Sequence, residues 1–261
     1  MADERSPVLW HISFSHYNEK VRWALDYKGV EHERREAPGG THPAVALALT
    51  RGRHKTFPVL ELDGERIGDS TAIIAELERR WPDPPLYPEQ ESERRRALAL
   101  EDWFDEELGP HLRLLVFHEL TRDRDRIGAL ASTQLPKPLR GARGAGAAAM
   151  RTFVNLRYGV NKKGAAEPAR TKVLAALDRL ESELGDAEYL VGGRFSVADL
   201  TAASLLYPLA LPPEGPRLGI DMPDSIERFR APLKERRGYR WVEEMFRRHR
   251  LAAPAAAGTP A

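Results

Sequence analysis

The chain contains no cysteine. That excludes a structural disulfide, a thiolate metal site and catalysis by a protein thiol, but not chemistry on a thiol that a ligand brings. It also lacks a charge bias, with 40 lysines and arginines against 39 aspartates and glutamates, a formal net charge of +1. Neither nucleic acid nor an anionic membrane surface is expected as a partner. No run approaches the ~20 apolar residues that span a bilayer. The opening Met1-Ala2-Asp3-Glu4-Arg5 is acidic and leads into no apolar stretch, so no secretory signal is expected and the chain reads as cytoplasmic. No His/Asp/Glu grouping has metal-ligand spacing and no Gly-rich phosphate loop follows a strand. The expectation is therefore no metal and no bound cofactor. What the chain does have is 261 residues at 42% hydrophobic content, enough for two modest domains, each with its own core.

The most informative stretch runs from residue 54 to 81. Val59-Leu60-Glu61-Leu62 reads as a short strand, Asp63-Gly64 as a two-residue hairpin turn and Glu65-Arg66-Ile67 as the returning strand. Ser70 then occupies the expected N-cap position before Ile73, Ile74, Leu77 and Trp81 at helical spacing. Asp69 and Ser70 thus stand beside the free N–H groups and positive end of a helix, a ready site for a carboxylate. Pro58 precedes the strand without a donor of its own. A cis bond there would leave the Phe57 backbone free to pair with an extended peptide.

Upstream, residues 8–14 form an expected first strand, broken by Ser15-His16-Tyr17-Asn18. A helix over 19–28 stops at Gly29, and a weak strand over 30–36 precedes a short helix over 42–49. This βαβα order, followed by a hairpin and a helix, predicts an α/β thioredoxin-like domain over 6–83. Proline-rich residues 84–92 read as a stiff linker. Strand signals then vanish, predicting an all-α C-terminal domain over 93–250. Helices are expected over 94–108 and 111–120, interrupted at Gly109-Pro110, and over 168–184, with a long connection rich in Gly, Ala, Pro and Arg over 132–149. Ser196-Val197-Ala198-Asp199 is a capping-box pattern, with Phe195 and Leu200 placed as its hydrophobic staple. The last helices, 225–236 and 240–250, bury Trp241, Met245 and Phe246 and turn their arginines to solvent. Residues 251–261 read as a flexible tail.

His54-Lys55-Thr56-Phe57-Pro58-Val59-Leu60, then Asp63-Gly64, then Ile67-Gly68-Asp69-Ser70-Thr71-Ala72-Ile73 resembles the glutathione-binding half of the cytosolic glutathione transferases. Leu190-Val191-Gly192-Gly193-Arg194-Phe195-Ser196-Val197-Ala198-Asp199 resembles the capped core helix of their C-terminal domain. The resemblance implies the two-domain transferase fold, a cis Pro58, Phe57 pairing with the cysteinyl backbone of glutathione, and Asp69 with Ser70 holding the γ-glutamyl end. It also implies a homodimer with a role in detoxification. In the serine-type classes a hydroxyl at the position of Ser15 donates to the glutathione sulfur. Tyr17 and Asn18 are the alternatives, Asn18 serving equally well as a helix N-cap. A free thiol has a pKa near 8.5, so one such hydrogen bond and the start of the first helix both favour the thiolate. For the glycyl carboxylate the family uses a basic residue. In the plant tau class it stands where this chain has Thr56, so His54 and Lys55 are the neighbours that would substitute. The electrophile pocket has His16, Phe117, His118, Phe153 and Tyr158 as candidates. The abundant Arg, Ala, Gly and Pro suggest a GC-rich, bacterial source. The first functional expectation is an enzyme adding glutathione, as co-substrate, to a small hydrophobic electrophile. The other is a non-catalytic binding or assembly module on the same scaffold, and a different low-molecular-weight thiol is a further alternative.

Overall fold

The computed structural model of the chain describes residues 6–37, 40–134 and 143–250. Its first domain runs β1 (Val8–His11), α1 (His16–Tyr27), β2 (Glu33–Glu36), α2 (His42–Leu49), β3 (Val59–Leu62), β4 (Glu65–Gly68) and α3 (Ser70–Arg80). The sheet order is β2-β1-β3-β4, with β1 parallel to β2 and antiparallel to β3, and β3 antiparallel to β4. A parallel pair needs a crossover, and α1 supplies it. Asp63 and Gly64 both take positive φ, 49° and 82°, as a tight hairpin between right-twisted strands demands.

Two local expectations are corrected. β1 ends at His11 rather than at 14, because side chains replace the ladder beyond it. The Ile12 N–H donates to Asn18 Oδ1, and the carbonyls of Ile12 and Ser13 accept from Arg22. The N-cap of α3 is Asp69, not Ser70. Asp69 sits at φ 77°, ψ 131°, and its Oδ1 accepts from the N–H groups of Thr71 (3.0 Å) and Ala72 (3.1 Å). Ser70 is the first helical residue, so its own N–H is one of the orphan donors of the helix end.

The second domain comprises α4 (Glu91–Glu107), α5 (Gly109–Arg122), α6 (Arg124–Thr133), α7 (Arg143–Tyr158), α8 (Ala166–Leu184), α9 (Val197–Ala210), α10 (Asp224–Arg230), a 3₁₀ turn (Ala231–Leu233) and α11 (Arg237–His249). α4 begins at Glu91, so the linker ends two residues before the expected 92. The connection expected over 132–149 is helical at both ends, α6 running to Thr133 and α7 beginning at Arg143, while 135–142 lie outside the described residues. The alanines that read as low complexity are good helix formers once α7 packs on α6. α9 is buried along its whole length, as a helix apolar all round must be. Its capping box is present, the Ser196 N–H and hydroxyl both donating to Asp199 Oδ2 at 2.9 and 2.7 Å. Burial pushes the Asp199 carboxyl up to about 6.

The domains meet along α1. Trp23 lies between Phe195 and Phe246, ring centroids 5.5 and 4.4 Å away, and donates to the His249 carbonyl. The expectation of a solvated arginine face holds for Arg247 and Arg248 but fails at Arg250. That side chain is buried, with 2.6 Å contacts to both Glu19 and Asp26 of α1. Among the described residues no helix is long and apolar enough to cross a membrane, and no group of three or more acidic or histidine side chains could hold a metal. The expected tail, 251–261, lies outside the described residues.

Candidate active site

A cavity of about 870 Å³ opens where the sheet domain meets α4, α5 and α7. Ser15, Phe57, Pro58, Asp69 and Ser70 all line it. Residues 15 and 57 come together through Asn18, which is fully buried. The Asn18 Nδ2 donates to Ser15 Oγ at 2.7 Å and to the Phe57 carbonyl at 3.3 Å, while Oδ1 accepts from Ile12 N. Asn18 is therefore a tether and not the N-cap of α1. That position belongs to Ser15, whose hydroxyl caps nothing. Because Asn18 fills an acceptor position on Ser15 Oγ, the serine hydrogen is left to donate into the cavity. Tyr17, the other alternative, is committed elsewhere. Its hydroxyl donates to the Asp105 carbonyl at 2.5 Å, and burial, with Asp105 adding to it, holds its pKa above the usual phenol range.

The Phe57–Pro58 bond is cis. Across the cavity floor stand Asp69 and Ser70. Asp69 spends one oxygen on the cap, and Ser70 makes no side-chain hydrogen bond among the described residues. Behind them is a cluster that the sequence did not disclose. Lys20, fully buried, reaches Glu101 Oε1 at 2.8 Å and Asp105 Oδ2 at 2.6 Å, and Thr71 Oγ1 lies 2.9 Å from the same Asp105 oxygen. Asp105 Oδ1 and Glu101 Oε2 are buried without partners, and burial foremost pushes the Glu101 carboxyl up despite Lys20. Asp102, Asp105 and Glu106 line the cavity, so this end is acidic.

Another part of the cavity wall carries histidines. His54 lines it, its ring lying so close to the backbone that a Cβ on Gly68 would come within 2.5 Å of Cδ2. Lys55 is exposed and absent from the wall. His42, which sequence reasoning passed over, takes its place. Its ring packs on Phe57 and edge-on to Phe153, and burial lowers its pKa, with Arg157 contributing. The only signal for it was its position at the start of α2.

The rest of the cavity is apolar. Phe117, Phe153 and Tyr158 line it together with Phe14, Leu120, Leu130, Met150 and Ile220. His118 does not, being turned to the Val160 carbonyl. His16 lines the wall fully buried. Desolvation foremost, then the charge of Arg113, lowers its pKa to about 3, so the ring is neutral.

The geometry defines a two-domain protein in which a polar groove on a thioredoxin-like sheet opens into an apolar chamber. A family model for the glutathione S-transferase N-terminal domain matches residues 9–85, and one for the C-terminal domain matches 147–235. The chain belongs to the glutathione S-transferase superfamily. A probable glutathione S-transferase of Nicotiana tabacum is 24% identical over 202 residues, covering 77% of this chain and 69% of that one. Maleylacetoacetate isomerase of Dictyostelium discoideum is 32% identical over 105 residues, 36% of this chain and 44% of its own length. The theta class glutathione S-transferase from Xanthomonas axonopodis pv. citri, solved with glutathione bound, superposes with a TM-score of 0.55 at 23% identity, covering 95% of this chain and 98% of that one.

Proposed function

We propose that the protein is a glutathione transferase that stabilises the glutathione thiolate at Ser15 and adds it to an electrophile in the apolar chamber. The observation that carries this reading is the convergence of Ser15, Phe57, Asp69 and Ser70 on one cavity wall, with the serine hydrogen free to donate. The γ-glutamyl carboxylate would take the Ser70 hydroxyl and N–H, its ammonium the open oxygen of Asp69 and the acids of α4. The cysteinyl amide would pair with Phe57, whose N–H is unbonded among the described residues. The glycyl carboxylate would be left to His54 and His42, both of which line the cavity. Ser15 would hydrogen-bond the sulfur, while the N-terminus of α1 adds a favourable partial charge.

The Ser15 hydrogen, left to donate into the cavity because Asn18 occupies an acceptor position on the oxygen, favours an enzyme over a binding module. Calorimetric titration with glutathione tests the site. Wild type should bind at micromolar to millimolar affinity, and D69A/S70A should bind none while keeping its circular dichroism. Undiminished binding in the double variant would show that the ligand sits elsewhere.

A further inference from the structure

Arg113, on α5, has no anion of its own. Its guanidinium lies over the rings of Tyr158 and Tyr17, 4.5 and 5.6 Å from their centroids, and it lines the cavity. Its Nε is buried without a hydrogen-bond partner, and no carboxylate among the described residues pairs with it. Asp105 turns Oδ2 to Lys20 and Thr71, and its unpartnered Oδ1 forms no ion pair with Arg113. The buried arginines all have an anion: Arg22 and Arg250 share Glu19, and Arg230, whose Nε likewise lacks a partner, pairs with Glu227 and donates to the Ala210 carbonyl. Arg113 is half-buried, and a partly desolvated cation facing aromatic rings without an anion favours the arrival of one. The planar fork of arginine suits a carboxylate, which it can grip through two parallel hydrogen bonds.

The surroundings specify what carries that carboxylate. Phe117 stacks on Tyr158 at 12° and 5.9 Å, and Phe14 meets Phe117 edge-on at 6.3 Å. These rings form an arc from Arg113 to the residue beside Ser15, a surface suited to a flat conjugated ring. We propose that the second substrate is an aromatic electrophile bearing a carboxylate, its ring along this arc and its anion on Arg113. The inference rests on the transferase reading for the position of the sulfur. With an aryl chloride as substrate, the thiol proton passes to solvent and the thiolate attacks the ring carbon that bears chlorine. The C–S bond forms, the C–Cl bond breaks, and chloride leaves with its electron pair.

The test compares chlorodinitrobenzoate with its neutral amide, by calorimetric binding and, with glutathione present, by product formation. Wild type should bind the benzoate tighter than the amide by about ten-fold or more, the value of a charge-assisted hydrogen bond. Arg113→Leu should bring that ratio close to one. Arg113→Lys, which keeps the charge but not the fork, should retain part of it, and supplies a reading should the leucine variant misfold. Equal affinity for benzoate and amide in wild type, or a ratio that survives Arg113→Leu, overturns the inference. A benzoate preference without glutathione addition would uphold the ligand class and sink the transferase reading. Addition to both compounds without preference would do the reverse.

Discussion

Replacing Asn18 by Asp reverses one hydrogen bond and leaves the side-chain shape intact. Oδ1 still accepts from Ile12 N, but the atom that donates to Ser15 Oγ and to the Phe57 carbonyl becomes an acceptor. Ser15 must then turn its single hydrogen toward residue 18 and away from the sulfur. The lost bond to a thiolate is worth about 1.5–3 kcal/mol, or roughly one to two pKa units. A carboxylate about 5 Å from the thiolate adds on the order of 1–3 kcal/mol of repulsion in the same direction. The bound thiol should therefore titrate at least about one unit higher, read from thiolate absorbance against pH, and turnover at neutral pH should fall about ten-fold. Ser15→Ala should raise the thiol pKa by about one to two units with glutathione affinity nearly kept. Tyr17→Phe should leave it alone, because that hydroxyl serves Asp105. A thiol pKa indifferent to both Asn18→Asp and Ser15→Ala, or one that moves only with Tyr17→Phe, would refute the assignment.

The two buried histidines each make the fold lose stability in acid. His11 and His16 are both lowered to about 3, chiefly by burial, and His11 Nδ1 faces Arg22 at 2.9 Å, an arrangement that needs the neutral ring. Below pH ~6.5 only the unfolded chain takes up these protons, so stability is complete above that pH. It falls by up to about 1.4 kcal/mol per pH unit for each histidine as the pH drops toward 3. Asp199 and Glu101, both raised, take up protons first in the folded state and offset part of this slope, so the test is a comparison: His16→Phe should lose less stability between pH 7 and pH 5 than wild type, and equal losses would contradict this. A Cβ at Gly109 would overlap the Tyr17 hydroxyl, so Gly109→Ala should cost about 1–3 kcal/mol and be partly rescued by Tyr17→Phe in a double-mutant cycle. Strict additivity would show that the two do not share the space. Finally, light scattering should give twice the 29.3 kDa of one chain; the mass of one chain at micromolar concentration would end the expectation of a dimer.

The fold was legible wherever period and punctuation agreed. Asp63-Gly64 required positive φ at both positions, and the Ser196–Asp199 box stood where an N-cap motif should. Misreadings arose where one residue type serves two local purposes. Asp69 and Ser70 are both good N-caps, and only the backbone at φ 77° decides between them. Gly and Ala in α7 suggested a loop because their composition, taken without a partner helix, carries no apolar stripe. The site divided in the same way. Phe57, Asp69 and Ser70 belong to contiguous motifs, and Ser15 stood in one with Tyr17 and Asn18 as alternatives, so their meeting on one cavity wall was legible in the chain. His42, Arg113 and the acids of α4 were not, because nothing local separates an arginine stacked on two tyrosines from one in solvent.

Lys20 shows how the two domains fix the acidic end of the groove. The cluster of Lys20, Glu101, Asp105 and Thr71 carries one buried cation against two carboxylates. Its net charge argues against a large stabilising contribution, since desolvation of such groups commonly matches their attraction. Its geometric effect is the stronger consequence. Thr71 is the second residue of α3, and its hydroxyl reaches Glu101 and Asp105 of α4 while Lys20 of α1 reaches all three. The N-terminus of α3, and with it Ser70, is thereby held against the helical domain rather than against its own sheet alone. Tyr17 makes a parallel link from α1 to the Asp105 carbonyl, permitted by the missing side chain at Gly109. Both links converge on Asp105. The spacing of the groove at Ser70 therefore depends on Glu101 and Asp105 of α4, so a helical domain that contributes neither the cis-proline loop nor the start of α3 still governs how the groove is formed.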